Sequence, residues 1–153
     1  MEILQATTDA DMDVIRVLFR EYENYLQVDL CFQSFEAELA ELPGKYAPPE
    51  GALLMAAEQG NVLGCVALKK LEDGVCEMKR LYVRPDARGT GLGRQLAVRI
   101  IRVAKEIGYR EMRLDTLDKL TAAIALYRSI GFRETDPYYS NPLPGVVYLR
   151  LDL

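Results

Sequence analysis

The run RGTGLG at residues 88–93 divides two kinds of periodicity. Before it, Val75 to Val83 reads as a strand. After it, Leu92, Leu96, Ile100, Val103 and Ile107 make an apolar helical stripe, with Arg94, Arg99, Arg102 and Lys105 elsewhere and Gly108 just past the end. Glycines between a strand and a helix let the backbone turn tightly and come close to a ligand. The unpaired N–H groups of the helix start then point at whatever lies in front, where the helix dipole favours an anion. A pyrophosphate is the natural guest, and a loop that serves only for turning is the plain alternative.

Working back from the loop, Ala52 to Glu58 and Val62 to Leu71 are two further strand-like runs. Gln59-Gly60-Asn61 lies between them and Glu72-Asp73-Gly74 precedes Val75, each offering a residue that accepts positive φ, so the three runs predict an antiparallel meander. Glu2 to Ala6 is a short strand, and Thr7, Thr8 and Asp9 offer caps for a helix carrying Val14, Leu18, Tyr22 and Tyr25. Ser34 is placed to cap a second short helix with Phe35, Leu39 and Leu42, which Pro43-Gly44 ends, and Tyr46 to Gly51 is a loop.

Working forward, Arg110 to Thr116 reads as a strand, and Asp118 or Thr121 is placed to cap a helix ending at Ile130-Gly131. Phe132 to Thr135 and Val146 to Leu153 read as two last strands, joined by a loop over residues 136–145. Strand, helix, strand, helix adds a parallel crossover to the meander. The sum is an α/β (α+β) domain with one mixed sheet.

The chain has 153 residues, 50% of them hydrophobic. This suits one domain over residues 1–153 that buries roughly 70% of the surface of its unfolded chain. A net charge of −4 leaves no basic field for nucleic acid or an anionic membrane. The first residues lack a basic segment followed by an apolar core, and no apolar run reaches membrane-spanning length, so a cytoplasmic location is expected. Cys31, Cys65 and Cys76 form no CxxC pair and are expected to be buried free thiols. With no histidine at all, catalytic triads, HExxH metal sites and any histidine base are excluded, and no metal site is expected. Acid–base chemistry falls to carboxylates, tyrosine, cysteine, lysine or water.

Residues 88–93 lack the GxxxxGK[ST] of a P-loop. Gly89 and Gly91 fit the GxGxxG of a dinucleotide loop, but Arg94 stands at its third glycine, so a nucleotide-binding oxidoreductase is a poor rival even with Asp115 placed like a ribose-binding acid. The arrangement instead resembles the GCN5-related N-acetyltransferase (GNAT) family. Arg88, Gly91 and Gly93 fill its [RQ]-x-x-G-x-[GA] signature, and Glu77 to Val83 with Pro85 is similar to its fourth strand. Ala123 to Phe132, ending Leu-Tyr-x-x-x-Gly-Phe, is similar to its second motif. The close resemblance runs from Glu77 to Phe132.

This resemblance implies a mostly antiparallel mixed sheet of about seven strands with helices on both faces. It also implies acetyl-coenzyme A as cofactor and acetyl transfer to a primary amine by direct attack in a ternary complex. The acceptor would be a small molecule or a peptide, with a homodimer left open; a non-catalytic module binding coenzyme A or a metabolite is the alternative. Backbone groups of Leu81 and Val83, with Tyr82 between them, would pair with the pantetheine arm. The amides of Arg88, Gly89, Thr90, Gly91, Leu92 and Gly93 would take the pyrophosphate, and the fourth and fifth strands would splay to admit the cofactor, Met112 to Thr116 forming the second wall. Tyr127 falls where the family commonly has a tyrosine near the cofactor sulfur.

The chemistry needs a neutral amine and a proton for the leaving thiolate. Glu77, on the strand entering the site and eleven residues before Arg88, is the candidate base; its plain reading is a surface glutamate paired across the strands. Tyr127 is the candidate acid, its phenol having an ordinary pKa near 10, close to that of an alkyl thiol. Its plain reading is a tyrosine packed on a helix face. The oxyanion is expected at a backbone N–H near Val83. Cys76 is not activated, which disfavours an acetyl-cysteine. Arg94 is a candidate phosphate ligand, whereas Arg99 and Arg102 lie past the first turn. Tyr22, Tyr25, Phe32, Tyr138 and Tyr139 fall in segments that in this family often border the acceptor, with core packing and loop anchoring as equally good explanations.

Overall fold

The computed structural model describes residues 1–153. Its strands are β1 (Glu2–Gln5), β2 (Ala52–Glu58), β3 (Asn61–Glu72), β4 (Val75–Val83), β5 (Glu111–Leu117), β6 (Arg133–Glu134) and β7 (Val146–Asp152). Its helices are α1 (Asp9–Leu26), α2 (Phe35–Glu41), α3 (Leu92–Ile107) and α4 (Thr121–Ile130). The seven strands form one sheet in the order β1-β2-β3-β4-β5-β7-β6. Every neighbouring pair is antiparallel except β4–β5, which α3 connects as a parallel crossover.

Alternation along the strands feeds two cores. Leu53, Met55, Cys65 and Ala67 pack with Ile15, Leu18, Phe19 and Phe35 of α1 and α2. On the other face Leu54, Ala56, Val66 and Leu68 pack with Leu92, Leu96 and Ile100 of α3, and Tyr127 of α4 joins them. The sheet is thus a middle layer with helices on both sides.

Thr8 caps α1 in a closed box: its hydroxyl accepts the Asp11 N–H, and the Asp11 carboxylate accepts the Thr8 N–H, each at 3.1 Å. The other two expected caps are corrected. Ser34 stands before α2 at φ 56° with no side-chain cap, because ending the short turn Cys31–Gln33 holds it in the left-handed region and not in the extended one from which a side chain caps. Leu120 precedes α4 without a cap, and the Asp118 N–H is instead bonded to the Gly145 carbonyl at 2.8 Å. In the Gln59-Gly60-Asn61 turn the positive φ falls on Gln59 and Gly60, and Asn61 opens β3. The buried stripe of α3 also turns away from Val103 and Ile107 to Ala97, Ile101 and Ala104, since small alanines let the helix lie close on the sheet. Cys65 and Cys76 are buried, but Cys31 is exposed; Leu30 takes the adjacent core position.

Two irregularities in β4 set the geometry beside the glycine loop. Between the pairs Cys65↔Tyr82 and Ala67↔Lys79, Val66 of β3 faces two residues of β4, Arg80 and Leu81. This bulge, with Arg80 at φ 61°, puts Arg80 on the α1–α2 face beside Lys79. Second, β4 pairs with β5 only at Val75↔Glu111, Cys76↔Met112 and Glu77↔Arg113, while β5 stays paired with β7 as far as Leu117. Beyond Glu77 the two strands splay, and their inner edges have no partner strand.

Candidate active site

The strand–loop–helix segment leaves a row of free donors. The Arg88 N–H bonds to the Pro85 carbonyl and the Gln95 N–H to that of Gly91, but no acceptor in the protein meets the N–H groups from Gly89 to Arg94. Gly89 and Gly91 have φ near 80°, and a Cβ built on either meets nothing within 4 Å, so both border open space. Leu92, fully buried, anchors the helix start from below. Six adjacent uncapped amides at a helix N-terminus form an anion cradle.

The side chains here do other work. The Arg88 Nε donates to the Val83 carbonyl at 3.0 Å while its guanidinium lies 4.3 Å from the Tyr25 ring centroid. Thr90 Oγ1 donates to the Ala87 carbonyl, and Arg94 is bonded to Ser129 of α4. Just past the end of β4 the Arg84 N–H bonds across to the Leu63 carbonyl, so alternation turns the backbone groups of Val83 and Leu81 toward the splay. Tyr82 sits opposite Cys65 of β3 instead, and its hydroxyl bonds Glu21 at 3.3 Å.

The splay opens into a cavity of about 220 Å³. Leu81, Met78, Ala123 and Tyr127 line it on the α3–α4 side, Leu114 to Leu117 form the β5 wall, and Tyr22, Tyr25, Gln33, Lys79, Asn141 and Leu143 line the α1–α2 side. The cavity therefore passes through the sheet from one face to the other.

Tyr127 is 7% exposed and its ring meets Phe132 edge-on at 5.7 Å. Its hydroxyl makes no hydrogen bond within the protein. Burial pushes this phenol above its ordinary value, so the expected close match with a thiol is replaced by a weaker acid. Glu77 is buried, not on the surface. Its carboxylate accepts the Tyr138 hydroxyl at 2.6 Å and lies 3.6 Å from the Lys69 ammonium across the strands and 3.9 Å from that of Lys79. It stands behind Lys79 and does not line the cavity. Tyr22 and Tyr25 do line it, whereas Phe32, Tyr138 and Tyr139 do not. Cys76 is buried with its thiol on the Glu111 carbonyl, and burial pushes it up to about 12.

Lys79, Gln33 and Asn141 were not legible as site residues. Lys79 follows Glu77 onto its face by alternation, but the distant segments that cover that face have no local signature, and Asn141 reaches the cavity from a long loop. The paired tyrosines 138 and 139 were the available signal for that loop, and they hold Glu77 and Asp115 in place. No group of three or more His, Cys, Asp or Glu side chains is placed to hold a metal ion, and no helix is long and apolar enough to cross a membrane.

Residues 13–132 match the family model described as the acetyltransferase (GNAT) family. An uncharacterized N-acetyltransferase of Schizosaccharomyces pombe is 49% identical over 145 residues, covering 94% of this chain and 89% of the relative. A GNAT-family acetyltransferase of Staphylococcus aureus superposes with a TM-score of 0.82 at 19% identity, over 99% of this chain and 98% of the other. A GNAT-family acetyltransferase of Elizabethkingia anophelis, solved with acetyl-CoA bound, superposes with a TM-score of 0.60 at 26% identity, over 73% of this chain and 82% of the other.

Proposed function

The chain belongs to the GNAT acetyltransferase family, and on that premise we propose that it binds acetyl-coenzyme A and acetylates a primary amine by direct transfer in a ternary complex. The observation that carries this reading is the cradle of free amides from Gly89 to Arg94 beside the unpaired inner edge of β4. A pyrophosphate at the helix mouth and an extended amide-bearing arm along the strand edge fit those two sets of unused backbone groups.

When bound, the cofactor supplies an activated acetyl group: the amine nitrogen bonds to its carbonyl carbon, the carbon–sulfur bond breaks, and of two protons leaving the ammonium one goes to sulfur and one to water. The backbone of Leu81 holds the arm in register, the Val83 carbonyl being engaged by the Arg88 side chain, and the Val83 N–H, turned to the splay, is the proposed donor to the carbonyl oxygen. Tyr127 holds its proton at the phenol oxygen in the cavity and offers it toward the sulfur side. Glu77 is the proposed base, acting through water, since Lys79 and Tyr138 stand between it and the cavity. The inert, buried Cys76 supports direct transfer over an acetyl-enzyme.

The test is release of free thiol from acetyl-coenzyme A with a panel of primary amines. Turnover above the no-amine rate is expected. Binding without turnover of any amine would leave a non-catalytic module of the same fold.

A further inference from the structure

The acceptor end of the cavity carries two opposite charges that face each other with hydrogen-bonding capacity left over. Glu77↔Arg113 is the last rung between β4 and β5, and Lys79 and Asp115 each lie two residues beyond it. Two residues on is the same face of each strand, and here it is the α1–α2 face, so the two side chains look across the splay at one level. Lys79 is 8% exposed. One of its three N–H donors goes to Gln33 Oε1 at 3.1 Å, and the Glu77 oxygen at 3.9 Å is beyond hydrogen-bond range. Glu77 is in any case already served by Tyr138 and Lys69. Asp115 accepts from Tyr139 and from Asn141 at 2.9 Å through Oδ2 alone, and its Oδ1 accepts nothing. An ammonium with two idle donors and a carboxylate with an idle oxygen therefore border one small cavity.

We infer that the acceptor is a free α-amino acid, whose carboxylate pairs with Lys79 and whose amino group is held by Asp115. This deepens the acetyltransferase reading and rests on it. A zwitterion that carries its ammonium and its carboxylate on one carbon matches a cation and an anion set on facing strands. A lysine side chain or a peptide N-terminus brings the amine without the carboxylate and leaves the buried Lys79 unsatisfied. Leu30, Leu117 and Leu143 around the same end leave an apolar recess for the side chain. Desolvation, with Arg80 and Lys69 nearby, holds the Lys79 ammonium down to about 8 against the opposing pull of Glu77 and Asp115. An incoming carboxylate reverses that loss.

The experiment compares the twenty free amino acids with their amides and decarboxylated amines in the thiol-release assay. For the amino acids that are substrates, kcat/KM should exceed that of the matching amide by about 10- to 100-fold, the size of a hydrogen bond to a charged group. In Lys79→Gln the acid-to-amide ratio should collapse toward one. A melting shift with acetyl-coenzyme A shows whether that variant is folded, and the wild-type comparison decides the matter without it. Amides or simple amines turned over as well as acids would overturn the inference and leave the acetyltransferase standing. Acetyl-coenzyme A binding with no amino acid acetylated would also overturn it. Absence of both binding and thiol release with any amine would bring down the acetyltransferase reading and this inference together.

Discussion

The Tyr127 ring packs on Phe132 while its hydroxyl reaches the cavity with no partner in the protein. Packing and chemistry are therefore separable at one atom. Tyr127→Phe keeps the ring contact and is expected to lower kcat by about 10²-fold with little change in KM for acetyl-coenzyme A; an unaltered kcat would return Tyr127 to the core. Because burial raises this phenol above its ordinary value near 10, it stays protonated throughout the neutral range. The kcat profile should then show no alkaline fall from this group below about pH 10. At the loop, Gly91 has open space around it but a φ of 83°. Gly91→Asp places a negative charge at the amide cradle and is expected to abolish cofactor-induced stabilisation in a melting assay, while normal affinity would mean that the anion sits elsewhere.

The bulge in β4 is held by a pair that few strands contain. Arg80 donates to both Glu38 oxygens at 3.0 and 3.1 Å, with both side chains almost fully buried and Lys45 at 3.2 Å from the same carboxylate. Glu38→Gln leaves two cations facing a neutral amide and is expected to cost about 3–5 kcal/mol, read as a fall in the urea midpoint at constant m; a loss below about 1 kcal/mol would mean that the bulge holds itself. Burial alone would raise the Glu38 pKa, but Arg80 and Lys45 hold it below the ordinary range. This contribution is therefore present above roughly pH 4.5 and is lost as acid carries the solution through the lower folded pKa. Nothing in the residues 75–83 announced that pair. The meander, the crossover helix and the glycine loop were readable because each rests on local rules, namely alternation, helical spacing and positive φ at Gly60 or Gly74. The caps at Ser34 and Asp118 failed because Ser34 has a left-handed rather than extended backbone and because Leu120, two residues past Asp118, takes the position before α4. Lys79 shares its face with Glu77 by plain alternation, but the covering helices and loop that bury it there are distant in sequence, and the bulge that adds Arg80 to the same face has no local signature.

At the scale of the molecule, the splay divides the sheet into a four-strand block, β1 to β4, and a three-strand block, β5 to β7, joined by three rungs and covered by helices. The inner edges of β4 and β5 face each other with unused backbone groups, so anything that fills the gap joins the two blocks. A ligand that binds only the folded chain adds roughly 2.7 kcal/mol at 100 times its Kd. In a chain of 153 residues that corresponds to a rise in Tm of about 5–10 °C. Acetyl-coenzyme A is expected to give this rise, and hydrogen exchange should slow at Gly89 to Arg94 and along Leu81 to Val83. NAD shares the pyrophosphate but lacks an arm able to pair with the β4 edge, so at the same concentration it should leave Tm unchanged. An equal shift from NAD, or acetyl-coenzyme A stabilisation with no added protection on β4, would mean that the cradle binds diphosphates without using the splayed strands, and the alignment of thioester with Tyr127 would lose its basis.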